Sequence, residues 1–232
     1  MINYLLNFKN FDKNFAFFAP FSCVAMLVFI ALAAPAILKS PLDYQQSNAI
    51  YIMYIHVPAA WMALMVYSFM AVFNVSGFVW RNPFFYLISR AIAPIGLMFC
   101  AITLITGSLW GKPIWGTYWA WDARLTSMLI LLFLYFGYII LLDSFDDKSR
   151  GEKIAAIISI VGFINIPIIK FSVEYFNSLH QPASIFRKGG ISIDKSMLEP
   201  LLLTFGAYFS YFVFMALIKV KTEIMRKKLA RK

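Results

Sequence analysis

The chain has 232 residues; 61% are hydrophobic, only 14% are charged, and the mean hydropathy is +0.73. Soluble domains are roughly half apolar and about a quarter charged, so a water-soluble fold could not cover this much apolar surface, and a lipid bilayer is the expected solvent. The net charge of +10 lies in short segments between apolar runs and in a C-terminal block, a pattern of topology signals and contacts with membrane lipids rather than of a nucleic-acid face.

Taken in chain order, six apolar runs of 18 to 23 residues are predicted to span: Ala16–Leu38, Val57–Val79, Ala91–Leu109, Leu125–Leu142, Ile154–Phe171 and Leu198–Lys219. Each is long enough to cross a ~30 Å hydrocarbon core at about 1.5 Å per residue. Within lipid every backbone polar group must be satisfied inside the segment, so these are helices. The first run follows Lys9 and Lys13, is too long for the apolar region of a signal peptide, and reads as a retained helix. Fourteen of the 21 Lys and Arg fall on the side that carries the N-terminus, the second and fourth links and the tail. The positive-inside rule then gives an all-α integral membrane protein with six transmembrane helices and both termini cytoplasmic. The expected organisation is one membrane domain over 1–232, with an external loop at 110–126 and a basic cytoplasmic tail at 220–232. The tail reads as a headgroup-binding helix extension, and the link Asp143–Lys153 as a solvated charged turn.

The two cysteines, Cys23 and Cys100, lie in apolar runs with no Cys-x-x-Cys spacing. This argues against thiol redox chemistry and covalent haem attachment, and for small packed side chains.

Chemistry concentrates in the external segments. Trp110, Trp115, Trp119 and Trp121 place four of the six tryptophans within twelve positions, with Tyr118 among them. Gly111, Pro113 and Gly116 argue against a regular helix through the first half of this stretch. An interfacial aromatic belt is one explanation. A stacking platform for a flat apolar ring system is the other, because four indoles in one glycine-containing loop exceed what a belt requires. Asp122 and Arg124 follow directly; they read as a local cap and an interfacial charge, or else Arg124 meets an anionic substituent while Asp122 orients an indole or a cation. Gly107-x-x-x-Gly111 is a weak helix-packing signal, and Lys170 and Glu174 read as interfacial snorkelling and pairing. The only histidines are His56, just before the second span, and His180, about ten residues past the fifth. Each is followed within two residues by proline (Pro58, Pro182), and helix parity puts both on the side of the tryptophans. Neutral imidazoles are good axial ligands for haem iron. Lys112, Arg124, Arg187 and Lys188 are external cations suited to its propionates.

The run WGTYWAWDARLT, residues 115–126, resembles the tryptophan-rich WWD motif of haem-handling membrane proteins. With its surroundings (residues 111–135), MYIHVPAAW (53–61) and NIPIIKFSVEYFNSLHQPAS (165–184), it is similar to the haem exporter protein C family of cytochrome c maturation. The resemblance implies a bacterial inner-membrane protein of six helices that binds haem b non-covalently at its periplasmic face. It further implies transfer to a periplasmic haem chaperone, cytochrome c maturation protein E, which takes haem covalently. The other partners implied are the ABC-type ATPase and permease proteins of the same maturation system, its proteins A and B, and a small single-helix partner, its protein D. Carried over, His56 and His180 are the axial ligands. Trp110, Trp115, Tyr118, Trp119, Trp121 and Asp122 form the platform and chaperone contact, and Arg124 lies near a propionate. The implied role is delivery rather than enzymic catalysis, beyond lyase-like assistance to attachment on the chaperone. Tyr175-Phe176 stands where family members often have two tryptophans, which keeps an apolar face but removes any indole N–H bond. Two other classes share parts of the pattern. A cytochrome b-type electron-transfer subunit also uses two histidines, but inside helices at mid-membrane. An ABC permease subunit needs a polar path, which the spans do not supply.

Overall fold

The computed structural model describes residues 8–43, 46–176, 178–181, 184–185 and 189–229. Pro182, Arg187, Lys188, Arg231 and Lys232, and the side chains of Lys9 and Lys13, lie outside the described residues. Most of the described chain is helical: α1 (Phe8–Lys39), a 3-10 turn (Asn48–Ile52), α2 (Met53–Val79), α3 (Pro83–Trp115), α4 (Ala123–Asp143), α5 (Lys148–Gly162), α6 (Asn165–Tyr175) and α7 (Lys195–Leu229). Among the described residues there is no strand beyond an isolated bridge between Asp43 and Ser47. Six helical segments are long and apolar enough to cross a membrane, with α5 and α6 together making the fifth.

Short polar residues start several of these helices. Asn82 accepts from Phe84 N–H at 2.9 Å with Pro83 in the first helical position, and Asp147 accepts from Ser149 N–H at 2.9 Å. Such caps satisfy N–H groups that the helix itself leaves open.

The fifth span is broken. Pro167 has no N–H to give to the carbonyl of Phe163, four residues back. The chain tightens there into i→i+3 bonds from Phe163, Ile164 and Ile166 to Ile160, Val161 and Phe163. Asn165 begins α6, and its side chain donates to Ser127 O of α4 at 2.8 Å, so the break is stitched to a neighbouring helix.

α2 is the central helix. Its Ala59, Met62, Ala63, Val66, Tyr67 and Met70 are wholly buried, against Ile92 and Phe99 of α3, Leu131 and Tyr135 of α4 and Phe212 of α7. Tyr135 OH donates to Ala63 O at 2.7 Å, and Asn74 of α2 donates to Ser159 of α5 at 2.5 Å. Such interhelical bonds hold helices together where no hydrophobic gradient acts between them. Cys100 is buried in this core, as its apolar context suggests, whereas Cys23 on the peripheral α1 is only half-buried.

On the tail side the expected helix extension is present, and the expected solvated turn is corrected. α7 has 35 residues, roughly 52 Å at 1.5 Å per residue, so it continues beyond a ~30 Å core. Its end is not simply a free basic face. Lys227 pairs with Glu152 of α5 at 2.9 Å, Glu223 with Arg90 of α3 at 3.5 Å, and Lys221 with Asp12 of α1 at 3.9 Å. The 143–153 link is likewise only partly solvated: Glu152 is 8% exposed, and Asp143 holds Arg90 at 2.6 Å. Charges brought together at the helix ends pair with one another, with Arg90, Glu152 and Glu223 largely covered and Asp143, Asp12 and Lys227 still open to water.

Candidate functional site: two imidazoles at the end of α3

Three more expectations change at the other end of the bundle. α3 runs through Gly111 and Pro113 to Trp115, and ends where Gly116 takes a left-handed conformation (φ 76°) with its N–H on Lys112 O at 3.1 Å. Pro113 is tolerated because its missing bond falls in the last turn. Trp110 and Trp115 are therefore helix residues rather than loop residues. His56 also sits inside a helix, in the first turn of α2, not ahead of it.

The last two turns of α3 bring Thr106, Gly107, Trp110 and Gly111 onto neighbouring faces. His56 Nδ1 lies 3.1 Å from Thr106 Oγ1. That hydroxyl gives its own proton to Ile102 O at 2.6 Å, so its oxygen accepts here and His56 donates through Nδ1–H. The ring lies against Gly107, where a Cβ would stand 2.9 Å from His56 Cε1, and it meets Trp110 edge-on with centroids 5.5 Å apart. Trp110 Nε1 donates to Gln46 Oε1 at 2.9 Å, and the indole packs on Ile50, Tyr54 and Leu201. It thus backs His56 instead of offering an open face.

His180 is placed by the start of α4. Asp122, whose side chain is 6% exposed, caps that helix through Oδ1, which accepts from Leu125 N–H at 2.7 Å. Its Oδ2 accepts from Ser178 Oγ at 2.8 Å and from His180 Nδ1 at 3.0 Å. Ser178 Oγ in turn accepts from the His180 backbone N–H at 3.1 Å. Burial pushes the Asp122 carboxyl up, but the bonds from Leu125, Ser178 and His180 outweigh it and hold the group below the usual carboxylate range. Burial lowers the His180 imidazole below its ordinary value despite the Asp122 carboxylate. The contact is accordingly a neutral imidazole donating to an ionised carboxylate rather than an ion pair. The His180 ring meets Trp115 edge-on at 4.8 Å, and Trp115 lies against Gly111, where a Cβ would stand 2.8 Å from Cε3. The Gly107–Gly111 step therefore seats two site rings: Gly107 packs α3 against His56 of α2, as a small-residue step does, and Gly111 makes room for Trp115 of its own helix.

The remaining predicted residues surround this pair. Trp119 and Trp121 are edge-on at 5.4 Å; Trp119 Nε1 is buried without a partner among the described residues, and Trp121 is 77% exposed. Tyr118 is exposed under the Lys112 ammonium, 5.2 Å from its ring centre. Arg124 donates from Nε to Ser172 Oγ of α6 at 3.3 Å and lies within electrostatic range of both imidazoles. Tyr175 and Phe176 are exposed at the end of α6. His180 and His56 are also within electrostatic range of each other. Sequence reasoning passes over Thr106, Ser178, Ser172 and Gln46. For Thr106 a signal exists, since it stands one helical turn before Trp110.

Among the described residues no cluster of three or more His, Cys, Asp or Glu could hold a bare metal ion. Two imidazoles, each oriented through Nδ1, suit a metal that arrives with most of its ligands already in place. The edges of Trp119 and Trp121, an unpartnered indole N–H and a guanidinium suit a flat, mostly apolar ligand with anionic substituents.

Comparison with known proteins gives the same direction. The family described as heme exporter protein C matches residues 1–232. A heme exporter protein C of Bradyrhizobium diazoefficiens is 46% identical over 209 residues, covering 90% of this chain and 80% of the relative. Those of Haemophilus influenzae and Escherichia coli are 43% and 44% identical over 188 and 186 residues, covering 81% and 80% of this chain and 76% and 75% of the relatives.

Proposed function

This chain belongs to the haem exporter protein C family, and from that membership we propose that it binds haem non-covalently and delivers it for maturation of c-type cytochromes. The observation that carries the reading is the pair of imidazoles at one end of the bundle, each held at Nδ1 by a group from another segment; the remaining Nε2 is the atom we assign to the metal. Haem iron in its porphyrin offers two axial positions that imidazole fills well.

In this reading His56 and His180 are those axial ligands. Trp115, Trp119, Trp121 and Tyr118 provide aromatic area, Trp110 braces His56, and Arg124 meets a propionate. Two protein ligands leave no open position for oxygen chemistry, which suits carriage of haem as cargo rather than catalysis on it. The excess of Lys and Arg on the opposite side of the membrane supports a periplasmic site in a bacterial inner membrane. The exposed Trp121 and Tyr118 surface is where a periplasmic haem chaperone would approach. ABC-type ATPase and permease proteins and a small single-helix partner complete the assembly.

Purified full-length protein loaded with haem tests this directly. Wild type is expected to give a low-spin, six-coordinate absorption spectrum, and His56→Ala and His180→Ala to abolish it. A double variant that keeps full haem content and the low-spin spectrum overturns the ligand assignment.

A further inference from the structure

A neutral imidazole carries one N–H and one lone pair, and the hydrogen bond made by one nitrogen decides which nitrogen is free to bind a metal. Both histidines have that choice made for them, by chemically different groups. Thr106 Oγ1 spends its proton on Ile102 O at 2.6 Å and can only accept from His56 Nδ1 at 3.1 Å. The Asp122 carboxylate has no proton and can only accept from His180 Nδ1 at 3.0 Å. Neither ring is held by its backbone alone. His56 is wedged between Gly107 and Trp110, and His180 is tethered through Ser178 to the same carboxylate oxygen.

The geometry points to Thr106 and Asp122 as positioning residues that lock His56 and His180 in the Nδ1–H tautomer, and that make His180 the stronger of two unequal donors. This rests on the haem-ligand reading above. The inequality follows from charge. A hydrogen bond to a carboxylate is roughly twice as strong as one to a neutral acceptor, and it raises the basicity of the other ring nitrogen. Thr106 orients His56 without adding charge. The two imidazoles are therefore alike in which atom they present and unlike in how firmly that atom binds. Of the two residues that would hold haem, His56, whose acceptor is neutral, would be the more readily displaced by an incoming imidazole, and His180 the one retained.

Haem titration of the purified full chain, with absorption and electron paramagnetic resonance spectra and redox midpoints, separates the roles. Thr106→Val keeps the shape and loses the acceptor. Its expected effect is haem affinity about 10- to 100-fold weaker with a larger high-spin fraction, and Thr106→Ser restores both. Asp122→Asn keeps a helix-capping oxygen but loses the charge. Its expected effect is a higher midpoint potential with haem still low-spin, and easier replacement of His180 by added imidazole than in wild type. Helix content by circular dichroism and elution as a single species exclude unfolding. Should Thr106→Val and Asp122→Asn match wild type in affinity, spectrum and potential while His56→Ala and His180→Ala lose the low-spin spectrum, the positioning roles are overturned and the ligand reading stands. If the histidine variants also keep that spectrum, the ligand reading itself has failed.

Discussion

The two ends of this bundle treat polar groups in opposite ways. At the tail end, charges from α1, α3, α4, α5 and α7 close on one another: Arg90 with Asp143 and Glu223, Lys227 with Glu152, Lys221 with Asp12. At the histidine end, bonding is one-sided. His56 and His180 are each held at Nδ1, Trp119 Nε1 is buried with no partner among the described residues, and Trp121 is turned outward. Pairing that closes on itself fixes structure. Pairing that pins one atom and leaves its neighbour open builds a place for something to bind.

That contrast can be broken at four points, from the largest expected effect on haem to the smallest. The double variant His56→Ala/His180→Ala is expected to lose haem altogether, read as the absorbance ratio of purified protein. Gly107→Ala puts a Cβ 2.9 Å from His56 Cε1, displacing the ring from Thr106; affinity should fall about tenfold, the low end for loss of a ligand-orienting contact, as measured by titration. Trp121→Ala removes one exposed indole. At about 0.5–1.5 kcal/mol per aromatic contact, a weakening of roughly threefold is expected, with thermal stability unchanged. Arg90→Ala should leave haem affinity as it is and lower unfolding stability by about 1 kcal/mol, because it removes one of two partners from each of Asp143 and Glu223, which keep Lys148 and Arg226; denaturation in detergent reads this. Haem loss in the Arg90 variant, or a stability loss without haem loss in Gly107→Ala, would erase the distinction between the ends.

Part of the site is legible in the amino-acid sequence. The tryptophan cluster, Asp122, Arg124 and both histidines stand out by residue type, and helix parity alone brings His56 and His180 to one side. The roles are harder to read. Gly111 and Pro113 suggest a break, yet α3 continues, because Gly111 makes room for the Trp115 ring and Pro113 falls in the final turn. The position of Asp122 suggests either a local cap or a group that orients an indole or a cation; it caps α4 with one oxygen, as the first reading has it, and holds Ser178 and His180 with the other, which the sequence does not show.

The sequence by itself determined the solvent, the number of spans and the residues able to carry chemistry, because hydropathy, caps and residue type are properties of short stretches of chain. The tertiary structure alone decided who meets whom: Thr106 with His56 across 50 positions, Asp122 with His180 across 58, and Glu152 with Lys227 across 75. A hydrogen bond needs its partners within about 3 Å, and over such separations only the packed path of the helices sets that distance.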